Sequence, residues 1–423
     1  MSVSFATHRP TRLAGLFLLY AAQGIPEGLL YIAVPAWLAV NGASPEAIGG
    51  YIAIILLPWG FKMVNGVLMD RIAYLPMGRR RPWLIAAQAA LVFTLLLFGA
   101  EAPDVNDLAA ITAAGFLVNL AGAFQDVAID GMAIDVVPDD ERARANGVMW
   151  GGKILGTAGA SVVTGAVIAT HGFSAAATMT AACVAFLMLV PLLVRERPGE
   201  RLAPWSQGEA SAQSVARQLH GWLPIGRALG RAMTTPTSIL LAIGIFIALS
   251  GYGLETAFGP VLAVTELGFT ELTYGELTGT ANMIGGLFGI FLCGILADRL
   301  GARRALVLSL IGMGVLQGAM AASPESWGAP GVFRGYTILY ILLFVLMSVS
   351  LYAEAMRVST PAIAATQFSL FMAVLNLGTS FGAQRFGTIQ QNHGFEGAFL
   401  AAGSAALIAA IIFLASREKP ALS

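Results

Sequence analysis

Five acidic residues lie within or at the edges of long apolar stretches: Glu27, Asp126, Asp130, Glu255 and Glu354. At the centre of a lipid bilayer a charged side chain costs roughly 3 kcal/mol, so such acids must face partners, water or protons. A carboxyl group that is removed from water favours its protonated form. Either Glu27 or Glu255 is therefore predicted to carry a proton.

The neighbours of these two glutamates indicate that each belongs to a polar face of its helix. Gln23, Glu27 and Tyr31 recur every four residues and so share one face. Tyr252 precedes Glu255 by three residues and stands between two glycines. Both faces are predicted to line a cavity for a solute or a proton.

Lysines and amides are also embedded in the apolar stretches. Lys153 is expected close in depth to Asp130, and an Asp130–Lys153 pair is the economical interpretation. A buried ion pair avoids leaving a lone charge in the membrane. The pair is therefore either a structural element or a switch. Lys62 either pairs in a similar way or extends its ammonium to the membrane surface. Asn282 and Asn376 are expected to hydrogen-bond between helices or to line the same cavity.

The apolar stretches are too long and too numerous for a soluble protein. The chain has 423 residues, 57% hydrophobic and 11% charged, and about 20 apolar residues are enough to cross a bilayer. Twelve spans are predicted, near residues 13–38, 47–69, 83–100, 108–134, 145–169, 174–194, 237–264, 273–297, 305–322, 335–356, 362–385 and 395–415. The formal net charge of zero indicates no nucleic-acid partner. The partner of most of the surface is expected to be the lipid bilayer.

The basic residues predict the orientation of these spans. Of the 24 lysines and arginines, 20 fall on one side of the predicted helices, and only Arg334 is assigned to the other side. Cytoplasmic loops hold the excess of basic residues in membrane proteins. Both termini are therefore predicted to be cytoplasmic.

A polar segment divides the chain into two sets of six spans. The predicted domains are a six-helix bundle over residues 1–194, a cytoplasmic linker over 195–235 and a second six-helix bundle over 236–423. Apolar residues of the linker recur at near-helical spacing beside arginines, although Pro224 should interrupt a helix there. The linker is either an interfacial helix or a solvated tether.

The two halves of the sequence repeat one another. A shift of 228 positions places Glu27 on Glu255 and aligns the segments GVLMDR and GILADR without a gap. A weaker match with an offset of about 222 places Gly156 on Gly378. Six helices in each half predict a duplication about an axis along the membrane normal, so Glu27 and Glu255 are expected to face one another across a central cavity.

The repeated G-x-L-x-D-R segment, followed by a basic cluster, resembles the loop signature of the major facilitator superfamily. The resemblance covers the whole chain and implies twelve transmembrane helices in two pseudo-symmetric bundles, with helices 1, 4, 7 and 10 around the cavity. It also implies that each loop aspartate meets the start of a helix from the other half, near Ile363 for Asp70 and near Asn146 for Asp298, and closes the cytoplasmic side. The residues of these gate motifs are Gly66, Asp70, Arg71, Arg79, Arg80, Gly294, Asp298, Arg299 and Arg303.

The stretch from Phe124 to Gly131, FQDVAIDG, looks like the helix 4–5 region of the AmpG-type muropeptide permeases and of the acetyl-coenzyme A transporters. This resemblance implies proton-driven import of a bulky polar solute by a monomer in a cell membrane, the inner membrane in a Gram-negative bacterium. The chain stops after helix 12, as in a related branch of siderophore permeases, so that substrate class also remains open. A receptor or scaffold of the same fold is a further alternative. No enzyme, cofactor or metal site is expected, because the spans hold no nucleophile–base or His/Cys grouping.

Overall fold

The computed structural model describes residues 4–43, 45–101, 107–219, 221–269, 271–329 and 331–415, with the backbone alone at residues 39, 45, 46, 49, 271, 272 and 298. The regular secondary structure in these ranges is helical. The one β-type pairing there is an isolated parallel bridge between Ser4 and Arg195. The predicted all-α class is confirmed.

Eleven helices in the described ranges are long and apolar enough to cross a membrane. They are α1 (Arg9–Leu38), α2 (Gly50–Arg71), α3 (Arg81–Glu101), α4 (Leu108–Val136), α5 (Asp139–His171), α6 (Phe173–Leu193), α7 (Pro236–Thr265), α8 (Thr273–Ala297), α9 (Ala302–Ala322), α10 (Val332–Val358) and the last, Pro361–Ala415. Two shorter helices, Ala212–Arg217 and Trp222–Met233, lie in the linker.

The last helical stretch contains two spans. Its α-helical part has 52 residues, which at 1.5 Å per residue is about 78 Å, far more than a bilayer requires. Gly394 has φ 66° and ψ −168° and breaks the helix. We call residues 361–393 α11 and residues 395–415 α12. The predicted twelve spans are present, although α11 continues helically well beyond its predicted end at residue 385.

Contacts with α7 show that the chain reverses at Gly394. Along α11, Gly378 packs on Phe246 and Gly382 on Ser250, so α11 runs parallel to α7. Along α12, Ala402 lies against Gly251 and Phe413 against Gly244, so α12 runs antiparallel to α7. A glycine suits this corner because a positive φ strains residues that carry a Cβ.

The chain forms two compact units that do not coincide with the two halves of its sequence. Unit 1 contains Met1–Pro138, Val148–Leu229 and Ser359–Ser369, and unit 2 contains Asp139–Gly147, Gly230–Val358 and Leu370–Ser423. The beginning of α5 thus packs with unit 2, and the beginning of α11 packs with unit 1. Most of the linker belongs to unit 1.

Each unit has an aromatic and aliphatic core. In unit 1, Phe173 packs against Trp37 and Phe98 with ring centroids 5.3 and 4.6 Å apart. In unit 2, Phe399 makes edge or tilted contacts with Phe258, Trp327 and Tyr336. Large apolar side chains are also exposed, for example Phe93 (65%), Phe186 (70%) and Phe291 (63%). Such exposure suits a surface in contact with lipid and would cost free energy in water.

Glycines bring α1 and α5 unusually close. A Cβ on Gly24 would lie 2.2 Å from the carbonyl oxygen of Lys153, and one on Gly28 would lie 2.5 Å from that of Thr157. From the other side, Cβ atoms on Gly152 and Gly156 would lie 2.4 and 2.6 Å from carbonyl oxygens of α1. Both helices therefore present small residues four positions apart, which is the pattern of close packing in membranes.

The crossing of α7 and α11 in unit 2 is built in the same way. A Cβ on Gly253 would lie 1.9 Å from the Thr379 carbonyl oxygen, and one on Gly378 would lie 2.5 Å from that of Phe246. Gly156 and Gly378, which the weaker sequence match aligns, thus occupy corresponding tight crossings.

Substitution of Gly156 tests this packing. We expect Gly156→Ala to destabilise the protein by about 1–3 kcal/mol, because the new methyl group meets the α1 backbone. The midpoint of thermal unfolding in detergent measures the loss. The matched control is Gly159→Ala on the same helix, where a Cβ meets open space and alanine favours the helix by up to about 1 kcal/mol. Equal midpoints for the two variants would contradict the packing argument.

Candidate functional site

The tight α1–α5 crossing places Lys153 beside Glu27. The Lys153 Nζ lies 2.9 Å from Glu27 Oε1 in unit 1. The predicted Asp130–Lys153 pair is wrong, since Lys153 takes Glu27 instead. Equal depth along a helix 4–5 hairpin predicts Asp130 as the partner, whereas the glycines of α1 bring a different helix nearer to α5.

The other two acids of unit 1 have partners of their own. Asp126 forms an ion pair with Lys62 and accepts a hydrogen bond of 2.7 Å from Gln23 Nε2. Asp130 accepts a hydrogen bond from the Tyr20 hydroxyl. Lys62 therefore turns to an interior carboxylate rather than to a membrane surface.

Trp59 contacts both lysines. Lys62 Nζ is 4.2 Å and Lys153 Nζ is 5.3 Å from the centroid of its indole ring, within the range of cation–π attraction. The indole N–H is 2.9 Å from the Tyr31 hydroxyl and 3.2 Å from Asn119 Oδ1. Tyr31 in turn donates to Asn119 at 2.7 Å. α2 is irregular on both sides of Trp59, with turns at residues 56 and 61.

These residues form one network, which we call the acid–lysine cluster. Its members are Tyr20, Gln23, Glu27, Tyr31, Trp59, Lys62, Asn119, Asp126, Asp130 and Lys153. Tyr20, Trp59 and Asn119 belong to this cluster but are not among the cavity residues predicted from the sequence. Asn119 could have been found as an amide inside an apolar helix, but nothing local distinguishes Trp59 or Tyr20 from ordinary core residues.

Glu255 has different surroundings in unit 2. Its Oε1 atom and the Tyr274 hydroxyl would both lie 3.3 Å from a Cβ placed on Gly259, and the Tyr336 side chain lies nearby. Among the described residues, no lysine or arginine forms an ion pair with Glu255. Tyr252 stacks on Phe344 with ring centroids 3.9 Å apart. Glu27 and Glu255 are equivalent in sequence but not in environment.

The remaining predicted cavity residues are not part of these networks. Glu354 forms an ion pair of 2.7 Å with Arg357, one turn further along α10. Asn282 is exposed and donates to the carbonyl of Thr278 in its own helix at 2.8 Å, so this contact joins no second helix. Asn376 is exposed on α11. In the portion of the chain that is described, no three His, Cys, Asp or Glu residues form a group suited to a metal ion.

A second charged network surrounds the first loop motif. Asp70 Oδ2 accepts hydrogen bonds from the backbone N–H and the hydroxyl of Thr366, at 2.8 and 2.7 Å, in the first turns of α11. Asp70 also pairs with Arg80, and Arg79 lies 3.6 Å away. The approach of Asp70 to the start of α11, which the motif predicts, is thus present. Unpaired N–H groups at a helix start favour such a carboxylate.

Arg79 connects the same loop to the first two residues of α11. Its guanidinium donates to the carbonyl oxygens of Pro361 and Ala362 at 2.9 and 3.0 Å and pairs with Asp135 at 3.2 Å. Burial, followed by the charge of Arg80, lowers the pKa of Arg79 to about 10, so it stays charged at neutral pH. We call Asp70, Arg79, Arg80, Asp135 and Thr366 the loop-motif cluster.

Asp135 connects this cluster to the linker. Arg217 pairs with its carboxylate at 2.9 Å, and Arg197 donates to its backbone carbonyl at 2.8 Å. Gln218 donates to the Asp70 carbonyl at 3.0 Å, and Glu196 accepts from the Arg80 N–H at 2.9 Å. The stretch 195–218 is therefore docked on unit 1, and the alternative of a solvated tether is wrong for it.

The other motif residues have separate roles. Arg71 lies 5.8 Å from the ring of Trp222, Arg303 donates to the carbonyl of Phe413 near the end of α12, and Arg299 is exposed. The predicted contact of Asp298 with the start of α5 lies outside the described side chains. Pro224 lies in the first turn of Trp222–Met233, where proline is tolerated, so it does not interrupt that helix.

Both motif glycines are sites of close backbone contact. A Cβ on Gly66 would lie 2.8 Å from backbone atoms of Ala365 and Thr366, within unit 1. A Cβ on Gly294 would lie 2.5 Å from the Arg144 Cα, within unit 2. The G-x-L-x-D-R segments therefore need glycine for the same reason in each half of the sequence.

Removal of the Asp135 charge tests the loop-motif cluster. We expect Asp135→Asn to destabilise the protein by about 3–5 kcal/mol, because buried arginines lose their shared carboxylate. Asp139→Asn is the control, since the Asp139 side chain is 64% exposed and an ion pair that is open to solvent contributes about 1 kcal/mol or less. Thermal unfolding of both variants in detergent measures the difference. A loss no greater than the control's would contradict the importance of this cluster.

Comparison with known proteins places the chain in a family. The chain matches the family model of the Major Facilitator Superfamily over residues 16–383. It is 24% identical to the anhydromuropeptide permease of Escherichia coli K12, over 96% of this chain and 80% of that protein. It is 25% identical to a folate-biopterin transporter of Synechocystis, over 86% of this chain and 72% of that protein.

Solved structures share the fold at lower identity. A bacterial homologue of the iron transporter ferroportin, in an outward-facing state, has a TM-score of 0.68 and 15% identity and covers 96% of this chain and 98% of its own. The proton:xylose symporter XylE has a TM-score of 0.67 and 14% identity, over 95% and 94% of the two chains. The chain is a multi-pass membrane transporter and not an enzyme, and it belongs to the major facilitator superfamily.

Proposed function

We propose that this chain is a proton-coupled importer that carries a bulky polar solute of the anhydromuropeptide class by alternating access. The similarity to the anhydromuropeptide permease extends over 96% of the chain, which supports that substrate class. The cell membrane is the proposed location, the inner membrane in a Gram-negative bacterium, with both termini cytoplasmic and the monomer as the working unit.

The observation that carries the proposed proton coupling is the environment of Glu255. Its carboxyl group has tyrosine hydroxyls nearby but no basic partner within the described ranges. A carboxylate that lies within a membrane span without a counter-charge is costly, and protonation removes the cost. Glu27, by contrast, has Lys153 as a counter-ion. We therefore assign the coupling proton to Glu255.

The loop-motif cluster supports a gate. It joins the loop after α2 to the first turns of α11, which come from different halves of the sequence. We propose that these contacts form when the cytoplasmic side is closed and break when it opens. The docked linker, through Arg217 and Gln218, belongs to the closed arrangement.

A folate-like solute is the second candidate, because a folate-biopterin transporter matches 86% of the chain. Both solute classes are polar, and both an anhydromuropeptide and a folate carry carboxylates. Parallel uptake assays with labelled anhydromuropeptide, folate and a ferric siderophore decide among the three. Failure of all three, with a folded protein, would favour a receptor or scaffold.

Transport in liposomes tests the coupling. We expect the wild-type protein to accumulate labelled anhydromuropeptide when a proton gradient is imposed and to stop when a protonophore collapses it. Glu255→Gln should equilibrate the solute without accumulating it, because the amide takes up no proton at neutral pH.

The matched control is Glu266→Gln, an exposed acid at the end of α7, which should behave like the wild type. Accumulation by Glu255→Gln that stays fully sensitive to the gradient would remove Glu255 from the coupling mechanism.

A further inference from the structure

We propose that the Lys153–Glu27 pair is an exchangeable binding site for a carboxylate of the solute. The solute carboxylate replaces Glu27 on the Lys153 ammonium, and Glu27 takes up a proton from the aqueous phase. The inference rests on the proposed function in one respect, namely that the solute carries a carboxylate. It assigns to Glu27 a role distinct from that of Glu255.

Of the two acids in the acid–lysine cluster that pair with a lysine, Glu27 has fewer partners than Asp126. Among the described residues, Lys153 is the one group that pairs with its carboxylate. Asp126 has both Lys62 and Gln23, so the release of one contact leaves another. An external carboxylate therefore displaces Glu27 with fewer compensating losses.

Lys153 is also the more accessible of the two lysines. In the Lys153–Glu27 pair the side chains are 24% and 10% exposed, whereas in the Lys62–Asp126 pair they are 13% and 6% exposed. An anion from solution thus reaches the Lys153 ammonium more easily. Lys62 supplies a second positive charge close by, since its Nζ also lies against the ring of Trp59.

The ammonium stays in position when Glu27 leaves it. The backbone of Lys153 is fixed by the contact of its carbonyl with Gly24, and the indole ring of Trp59 lies 5.3 Å from Nζ. A cation held by an aromatic face and a rigid backbone is already arranged for a new anion. Binding then costs less conformational entropy than the ordering of a free lysine.

Charge balance couples the anion to a proton. The groups that face Glu27 and Lys153 are Tyr20 and Tyr31 on α1, Trp59 and Lys62 on α2, and Asp126 and Asp130 on α4. With all groups ionised, three carboxylates face two ammonium groups. These groups carry one excess negative charge, and binding of the solute carboxylate alone would make it two. If the displaced Glu27 takes up a proton, the excess stays at one. Binding of one anion is therefore accompanied by the uptake of one proton on Glu27, while Glu255 remains the group assigned to coupling with the gradient.

Binding measurements on detergent-purified protein test the exchange, with anhydromuropeptide as the probe. Titration calorimetry in two buffers of different ionisation enthalpy counts the protons taken up. We expect about one proton for each anion bound by the wild type, and none for Glu27→Gln. Glu27→Gln should also bind about tenfold more tightly, because the ammonium no longer has to leave an internal carboxylate.

Lys153→Gln should bind about tenfold more weakly than the wild type. A probe with its carboxyl groups amidated should bind the wild type and Lys153→Gln equally. Glu266→Gln is the control and should match the wild type throughout. Thermal unfolding of each variant confirms that it is folded.

The inference is overturned if Glu27→Gln binds as weakly as Lys153→Gln, or if proton uptake persists in Glu27→Gln. If anhydromuropeptide does not bind the wild type, the substrate assignment fails separately, and acetate becomes the probe. Acetate-dependent proton uptake that Glu27→Gln abolishes would then support the exchange site. Absence of that uptake would overturn it.

Discussion

The close crossing of α1 and α5 determines what unit 1 can do. Glycines on both helices let the backbones touch, and this contact brings a lysine on one helix to a glutamate on the other. A side chain larger than hydrogen at Gly24 or Gly156 would force the helices apart and separate the charges. The acid–lysine cluster thus depends on residues that carry no functional group. Its chemistry is a consequence of packing, which in a membrane supplies much of the specific association between helices.

The two sequence halves share a scaffold but not a site. Tight glycine contacts recur at the crossing of α7 and α11, and the motif glycines Gly66 and Gly294 meet backbone in the same manner. The charged groups do not recur, since Glu27 faces a lysine and Glu255 faces tyrosines. The two halves therefore share glycines where helices are in close contact, whereas their polar residues differ. Equivalent positions in the two halves therefore do not imply equivalent partners for the two glutamates.

The sequence was sufficient for the fold and for most members of the sites, but not for their pairing. Span length and the repeat predict the twelve helices, and the D-R motif predicts the contact of Asp70 with α11. Depth along a helix predicted Asp130 for Lys153, yet depth says nothing about which neighbouring helix comes closest. The role of Asp135 was hidden because its partners Arg197 and Arg217 lie in the linker, far away in sequence. Tertiary proximity of charges is a property of packing, and no local pattern encodes it.

Trp59 gives the cluster a natural optical reporter. Its indole ring contacts two ammonium groups, and its N–H bonds to Tyr31 and Asn119. Indole emission is sensitive to nearby charge, so a rearrangement of the Lys153 ion pair changes the fluorescence of this residue. The chain has seven tryptophans, and the difference spectrum between the wild type and a Trp59→Phe variant isolates the signal of one. The site therefore carries its own spectroscopic label, placed at the point where its electrostatics change.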